Sequence, residues 1–197
     1  MKKNLFFYIR PFLTIAVPIL LVCWLIKRPS SLKEWYACIE TTSFFMTFIS
    51  YVYIKWLWRY CPLEKIPRFA KKYTCKIHYT YGDGGTKESE ILIRQTLFST
   101  HITIKTDEIT SDTITSDLIE EHGSLFLYYT YITNPQAKYS KGNPIQRGSA
   151  RLEIEMPEYN LKTWLLKYKY TVKHLNGNYW TTSQTTGDMI LQEASEQ

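Results

Sequence analysis

The sequence predicts two N-terminal transmembrane α-helices followed by an all-β, antiparallel barrel, and three observations support this prediction. Long apolar stretches are confined to the first 60 residues. From residue 73 onward, apolar and polar residues alternate with a period of two, which is typical of half-buried strands. Residues 1–72 carry twelve Lys or Arg against three acidic residues, a net charge of +9, whereas residues 73–197 carry twelve against fifteen, a net charge of −3. The predicted parts are a hairpin at 1–60, a basic juxtamembrane linker at 61–72, a barrel at 73–193 and a flexible tail at 194–197.

The first predicted span covers residues 5–26 and is interrupted by Arg10. A cleaved signal peptide is the alternative. Against it, Lys27 and Arg28 stand where a small-residue cleavage site would be needed, and a second apolar segment soon follows. A helical hairpin is therefore the better interpretation, and Pro11 and Pro18 are expected to kink its first helix.

The second predicted span covers residues 36–54, in which Glu40 is the only charged residue. Its 19 residues are about the length that crosses ~30 Å of hydrocarbon at ~1.5 Å per residue. Its polar and small residues recur at spacings of three and four, which places them on one face of a helix. We refer to them as the seam: Glu40, Ser43, Thr47 and Ser50. The seam either packs against neighbouring subunits or packs against the first helix of the same chain.

Basic residues flank the predicted hairpin on one side, before the first span and after the second, more densely than in the short loop between the spans. By the positive-inside rule, both termini and the barrel face the cytoplasm of a multi-pass inner-membrane protein.

Nine segments of the C-terminal region have strand character, and we expect eight or nine strands to form a small closed, lipocalin-like barrel. An open sandwich is the alternative. The loops at 82–85, 106–111, 134–147 and 174–178 are expected to share the end of the barrel distal to the bilayer. The predicted strands are 73–81, 87–97, 99–106, 112–118, 124–132, 148–156, 164–173, 178–185 and 188–193.

The residue types and spacings offer little for catalysis. The sequence has no nucleophile–base constellation, no paired-carboxylate motif, no phosphate-cradling glycine loop and no metal-ligand spacing, so we expect no enzyme, no cofactor and no metal site. The four cysteines are scattered, as in a reduced cytosolic protein. The acidic C-terminal region argues against a DNA-binding or RNA-binding surface.

Tyrosines and one long loop are the candidates for binding. The tyrosines either stack on a planar ligand or simply fill the barrel: Tyr79, Tyr129, Tyr131, Tyr168 and Tyr170. The loop at 134–149 carries Lys138, Lys141 and Arg147, and it either closes over an anion or is merely solvated.

The arrangement resembles that of a known family. Its motifs are Ile93-Arg94-Gln95, the alternation from Ser111 to Asp117, Leu127 to Tyr131 with Asn134-Pro135, Gly148 to Leu152, and Leu175 to Trp180 with Thr186-Gly187-Asp188. With two helices ahead of a small barrel, these resemble the CD-NTase-associated, two-transmembrane, β-strand-rich effectors of bacterial CBASS anti-phage immunity.

The resemblance implies a sensor and effector. A partner nucleotidyltransferase makes a cyclic dinucleotide or larger cyclic oligonucleotide, the barrel binds it, the protein forms a homo-oligomer, and the helices disrupt the lipid bilayer and arrest growth. The family pattern has a basic residue in the strand after Trp180, where this chain has Thr181 to Gln184. The candidate ligand-binding residues are Gln95, Tyr129, Tyr131, Asn134, Arg147, Arg151 and Tyr179.

Two other functions remain open from the residues alone. One is a membrane-tethered, lipocalin-like sensor or carrier of a hydrophobic ligand, which requires an apolar cavity. The other is a structural or exclusion protein that recognises another membrane protein, which a solidly packed barrel would favour.

Overall fold

The computed structural model describes residues 5–61, 64, 66–80, 82–141, 144–155 and 171–194. The chain divides into two compact units, one ending at Tyr60 and the other beginning at Cys61. The first contains two helices and the second contains a β-barrel, and each is described by itself.

Two antiparallel helices form the first unit, α1 (Leu5–Lys27) and α2 (Leu32–Lys55), followed by a short 3₁₀ helix (Leu57–Tyr60). Ser31 caps α2, because its hydroxyl accepts a hydrogen bond from the Glu34 backbone N–H while the Glu34 carboxylate accepts from the Ser31 backbone N–H. The Cys38 thiol lies 4.0 Å from the carbonyl oxygen of Cys23, which joins the two helices near the turn. The two helices form a hairpin.

Within the described residues, α2 is the helix whose length and composition suffice to cross a membrane. The corresponding apolar helical stretch of α1, Ala16–Ile26, is shorter. The structure therefore agrees with the sequence prediction on one helix of membrane-spanning length, and the second span stays a prediction.

Eight antiparallel strands close into a barrel, since β1 pairs with β2 on one side and with β8 on the other. The predicted closed barrel is confirmed, and the open sandwich is wrong. The strands are β1 (Lys72–Tyr79), β2 (Gly85–Gln95), β3 (Thr100–Lys105), β4 (Ile109–Glu121), β5 (Ser124–Pro135), β6 (Arg147–Ile154), β7 (His174–Thr181) and β8 (Thr186–Glu193).

One predicted loop is wrong. Residues 174–178 belong to β7, and the turn at this end of the barrel is 182–185. Gly177 lies inside β7, at a position where a Cβ would collide with the Arg151 carbonyl of β6. The glycine therefore permits the close approach of these two strands. The actual turn has Gln184 at φ 59°, a conformation in which glycine is the usual residue. Most of the predicted strand at 164–173 lies outside the described residues, and Val172 forms only an isolated bridge.

The strand register places a continuous apolar core on the inner face of the barrel. Cross-strand neighbours on this face include Cys75 with Leu191, Ile91 with Ile104, and Leu127 with Leu152, and all of these side chains are buried. Burying such side chains stabilises the fold by roughly 1.5–3 kcal/mol each. The core occupies the middle of the barrel, so the two ends can carry different side chains.

One end of the barrel is closed by the chain that enters it, and we call it the plugged end. The segment before β1 crosses this end, where Phe69 pairs with Val172. Gln95 holds the segment through both ends of its amide, donating to the Pro67 carbonyl (2.8 Å) and accepting from the Phe69 N–H (3.1 Å). The Tyr73 hydroxyl donates to the Val172 carbonyl (2.6 Å) and accepts from the Ala70 N–H (2.8 Å). These bonds satisfy polar groups that the plug would otherwise bury unpaired.

Replacing Tyr73 with Phe is expected to lower the free energy of unfolding by about 1–3 kcal/mol, because the Val172 carbonyl and the Ala70 N–H lose their partner. Thermal unfolding of the full-length protein in detergent, followed by near-ultraviolet circular dichroism, measures the loss. Tyr128→Phe is the matched control, since that hydroxyl bonds to the partly exposed Glu121. Equal losses in the two variants would contradict the role given to the plug.

Candidate functional site

Tyrosines gather on the inner face at the opposite end, which we call the tyrosine end. Tyr129 and Tyr131 occupy successive inner positions of β5, with ring centroids 5.9 Å apart. Tyr179 of β7 and Tyr79 of β1 complete the set, both facing Gly187 across the strand pairs. Tyr79 is 37% exposed, whereas Tyr73 at the plugged end is completely buried. The tyrosine end is therefore the accessible end of the inner face.

Each tyrosine nearest this end lies against a glycine of a neighbouring strand. A Cβ at Gly148 would collide with the Tyr131 ring, one at Gly85 would lie 2.6 Å from the Tyr79 hydroxyl, and one at Gly187 would lie 2.6 Å from Cε1 of Tyr179. Because glycine has no side chain, the rings can lie along the barrel wall instead of crossing its centre. The tyrosine and glycine positions thus leave aromatic faces and hydroxyl groups at the accessible end.

Phenols are neutral at pH 7, and burial strengthens the preference of three of these tyrosines for the neutral form. It raises the pKa of Tyr129, Tyr131 and Tyr179 above the usual value, and neighbouring groups add to the effect, Tyr179 acting on Tyr131 and Tyr79 acting on Tyr179. The Tyr129 hydroxyl, deepest of the three, lies 3.7 Å from the Met189 sulfur. At neutral pH, the tyrosine end therefore presents hydrogen-bond donors without a negative charge.

Two further polar side chains of β2 face inward, and the sequence analysis did not single them out. Lys87 lies on the inner face and forms an ion pair of 3.2 Å with Glu108 from the turn between β3 and β4. Ser89, two residues deeper, is 7% exposed; its hydroxyl lies against the buried Cys75 thiol and has no oxygen or nitrogen partner in the described residues. The alternation 87, 89, 91, 93, 95 in β2 was the signal that could have identified both.

The structure brings together only part of the candidate set. Tyr129, Tyr131 and Tyr179 share the inner face, whereas Asn134 and Arg147 are exposed on the outer surface near the same end. Lys138 of the adjoining loop lies over the ring of Tyr139, 5.3 Å from its centroid. Tyr168, Tyr170 and part of this loop lie outside the described residues.

Gln95 and Arg151 lie elsewhere. Gln95 binds the plug described above. Arg151 projects from the outer surface, where its guanidinium stacks 3.7 Å from the Phe126 ring centroid and donates to Glu121 at 3.1 Å. Hydrogen bonds from Tyr128 and Arg151 hold the pKa of Glu121 below its usual range. Their assignment to ligand binding stays a prediction that this geometry does not favour.

The seam residues of α2 also fall into two groups. Ser50 is buried, as are Cys38 and Thr42, whereas Glu40, Ser43 and Thr47 are exposed on the hairpin. The Ser43 hydroxyl donates to the Ile39 carbonyl (2.8 Å) and the Thr47 hydroxyl donates to the Ser43 carbonyl (2.9 Å). Most of the seam is thus available for contacts outside the hairpin.

These features define a class, a small closed β-barrel with one plugged end and one tyrosine-lined end, preceded by an apolar helical hairpin. Residues 64–193 match the family model described as Cap15, cyclic dinucleotide receptor domain. A curated relative from Staphylococcus schleiferi, CD-NTase-associated protein 15, is 38% identical over 162 residues, which cover 81% of this chain and 80% of the relative. The chain belongs to the Cap15 family, and the resemblance to CBASS effectors is confirmed.

The raised phenol pKa values predict a pH dependence. In the folded barrel the pKa of Tyr131 lies above the unfolded value of about 10, so the stability it contributes is complete below about pH 10 and is lost as the pH rises through the folded pKa. Each such phenol is expected to lower the free energy of unfolding by up to about 1.4 kcal/mol per pH unit in that range. Tyr131→Phe removes one of these groups, so its unfolding temperature should fall less steeply than that of the wild type above about pH 10. Parallel declines in the two proteins would contradict the assignment.

Proposed function

We propose that this protein is the membrane effector of a bacterial CBASS anti-phage system and that its barrel binds a cyclic dinucleotide made by a partner nucleotidyltransferase. The observation that carries the proposal is the tyrosine end, in a domain whose residues 64–193 match a cyclic dinucleotide receptor family. The nucleotidyltransferase acts through the diffusible ligand, and no direct contact with it is required.

The tyrosine end suits a nucleotide chemically. Bases stack on aromatic faces, and base–aromatic stacking contributes about 1–3 kcal/mol per base. Neutral phenols donate hydrogen bonds to phosphate oxygens or base edges without the repulsion that a phenolate would add. Tyr79, which is 37% exposed, and the half-buried Tyr179 carry both kinds of surface at this end of the barrel, and the buried Tyr131 lies beside them.

The output of this effector is a change in the membrane. We place α1 and α2 as two spans of the bacterial inner membrane, with both termini and the barrel in the cytoplasm, because basic residues flank the hairpin on that side. Ligand binding favours an oligomer whose α2 helices meet through Glu40, Ser43 and Thr47, and this assembly disrupts the bilayer and arrests growth of the infected cell.

The connection between ligand and membrane passes through the plugged end. The segment that leads from α2 into β1 is bound to the barrel by Gln95 and Tyr73, both on the same inner face that carries the tyrosines. A ligand acts on an equilibrium only through a difference in its affinity for two states. A shift of the inner face on binding would change how this segment is held, which supplies such a difference.

Ligand binding is tested by thermal unfolding of the full-length protein in detergent with cyclic di-AMP, cyclic di-GMP, cyclic di-UMP and a cyclic trinucleotide. One member is expected to raise the unfolding temperature saturably, since a ligand at a hundred times its Kd adds about 2.7 kcal/mol to the folded state. Linear dinucleotides of the same bases are the control.

A response to fatty acids together with none to cyclic nucleotides would overturn the proposed ligand and favour a carrier of hydrophobic molecules. The middle of the barrel is aliphatic, and Leu127, Leu152 and Leu191 are completely buried there. Binding of a hydrophobic molecule is therefore the alternative that this experiment has to distinguish.

The seam is tested in the full-length protein reconstituted into vesicles that contain a trapped dye. Ser43→Leu combined with Thr47→Leu is expected to reduce ligand-triggered dye release at least severalfold, because the larger side chains prevent close approach of neighbouring helices. The unfolding temperature of the barrel and its response to ligand should remain unchanged.

Phe44→Leu combined with Phe48→Leu is the matched control, since both phenylalanines are exposed on the same helix and are already large and apolar. Release that is undiminished in the Ser43 and Thr47 variant, or lost equally in the control, would rule out this seam as the interface.

A further inference from the structure

Lys87 is the one cationic side chain on the inner face of the eight strands, all of which lie within the described residues. Its cross-strand neighbour on β1 is Ile77, which packs against the core. The next inward positions of β2, Ser89 and Ile91, are buried. The Lys87 side chain is 34% exposed, so its ammonium lies at the border between the inner face and solvent.

Glu108 is the partner of Lys87 in the structure, at 3.2 Å, and its side chain is 40% exposed. Ion pairs with this degree of exposure contribute about 0–1 kcal/mol, because both groups remain well hydrated when apart. Another anion that reaches the tyrosine end can therefore replace the carboxylate at little cost.

A cation on the inner face suits the ligand class of the proposed function. A cyclic dinucleotide carries two phosphodiester groups with one negative charge each, and residues 73–197 have a net charge of −3. At the same end of the barrel, the turn from Thr181 to Gln184 offers only uncharged hydroxyl and amide groups. Arg147 is exposed on the outer surface, so it does not supply an inward-facing charge.

We infer that Lys87 binds a phosphate of the ligand and that Glu108 is its resting partner, which the phosphate displaces. The inference rests on the proposed function and names the charged contact of that site. Ser89 extends the same track inward, since residues i and i+2 of a strand face the same way and its hydroxyl has no oxygen or nitrogen partner in the described part of the chain. Lys87 thus marks the end of a polar path along β2.

The test measures affinity in the full-length protein in detergent by calorimetric titration with whichever of cyclic di-AMP, cyclic di-GMP or cyclic di-UMP stabilises the wild type. Lys87→Gln is expected to weaken binding at least about tenfold, as for loss of a charged hydrogen bond. Glu108→Gln is expected to tighten binding severalfold, because it removes the competing carboxylate. Lys87→Arg should retain most of the affinity.

Lys72→Gln is the matched control. Lys72 forms an ion pair of the same length, 3.2 Å, with Glu90 on the outer surface, so this variant changes the net charge equally without touching the inner face. Its affinity should equal that of the wild type, and all variants should unfold without ligand at temperatures near the wild-type value.

Equal affinity of Lys87→Gln and Lys72→Gln would overturn the inference while leaving the proposed function intact. Weaker binding by both Lys87→Gln and Glu108→Gln would also overturn it, because the pair would then matter as a structural link. Absence of binding by the wild type to every cyclic dinucleotide would overturn the proposed function and this inference together.

Discussion

The backbone pairing of β1 with β8, from Tyr73 opposite Glu193 to Tyr79 opposite Gly187, closes the sheet. Without it, β1 and β8 would be free edges with unpaired N–H and C=O groups, and the sheet would not enclose an interior. With it, the sheet has an inside. Alternation along each strand then sorts side chains into an inner set and an outer set, and only the two ends of the barrel remain for exchange with solvent. The rest of the structure depends on which of these ends is closed and which is accessible.

The two ends of the barrel differ in what their polar side chains bind. At the plugged end, the entering chain brings backbone groups into the barrel, and Gln95 and Tyr73 satisfy them. At the tyrosine end, Gly85, Gly148 and Gly187 leave the wall free of side chains where the rings lie. At the plugged end, the polar side chains bind the entering chain itself. At the tyrosine end, the hydroxyl groups, the aromatic faces and the Lys87–Glu108 pair remain available to a ligand. This asymmetry supports the ligand site that we propose at the tyrosine end.

Periodicity in the sequence was enough to predict a closed barrel of eight or nine strands, because burial on one face forces alternation of residue types. It was less informative where one residue has two physical uses. Gly177 resembles a turn residue but permits close strand approach, and the turn at Gln184 carries no glycine. Gln95 resembled a ligand contact, yet its partners Pro67 and Phe69 are 28 and 26 residues away, which no local pattern shows. The direction of the Arg151 side chain was ambiguous, because it depends on which alternate residues of its strand face inward. Lys87 was in phase with the inner face, and its partner Glu108 became apparent only with the register.

The hydroxyl groups of α2 bear on how a small ligand could control the hairpin. Ser43 and Thr47 each donate to a carbonyl four residues earlier in their own helix, so neither hydroxyl is left without an acceptor when this face meets lipid. The same small residues allow another helix to approach closely, and packing then supplies the attraction. Neither arrangement leaves the Ser43 or Thr47 hydroxyl unpaired, so at these two positions the arrangements differ mainly in packing energy. A difference of a few kcal/mol is what binding of one ligand can reverse, since moving a two-state equilibrium from 1:99 to 99:1 takes about 5.5 kcal/mol of differential affinity. An interhelical hydrogen bond at Ser43 or Thr47, or an unpaired hydroxyl there, would instead have added a bias of its own toward one of the two arrangements.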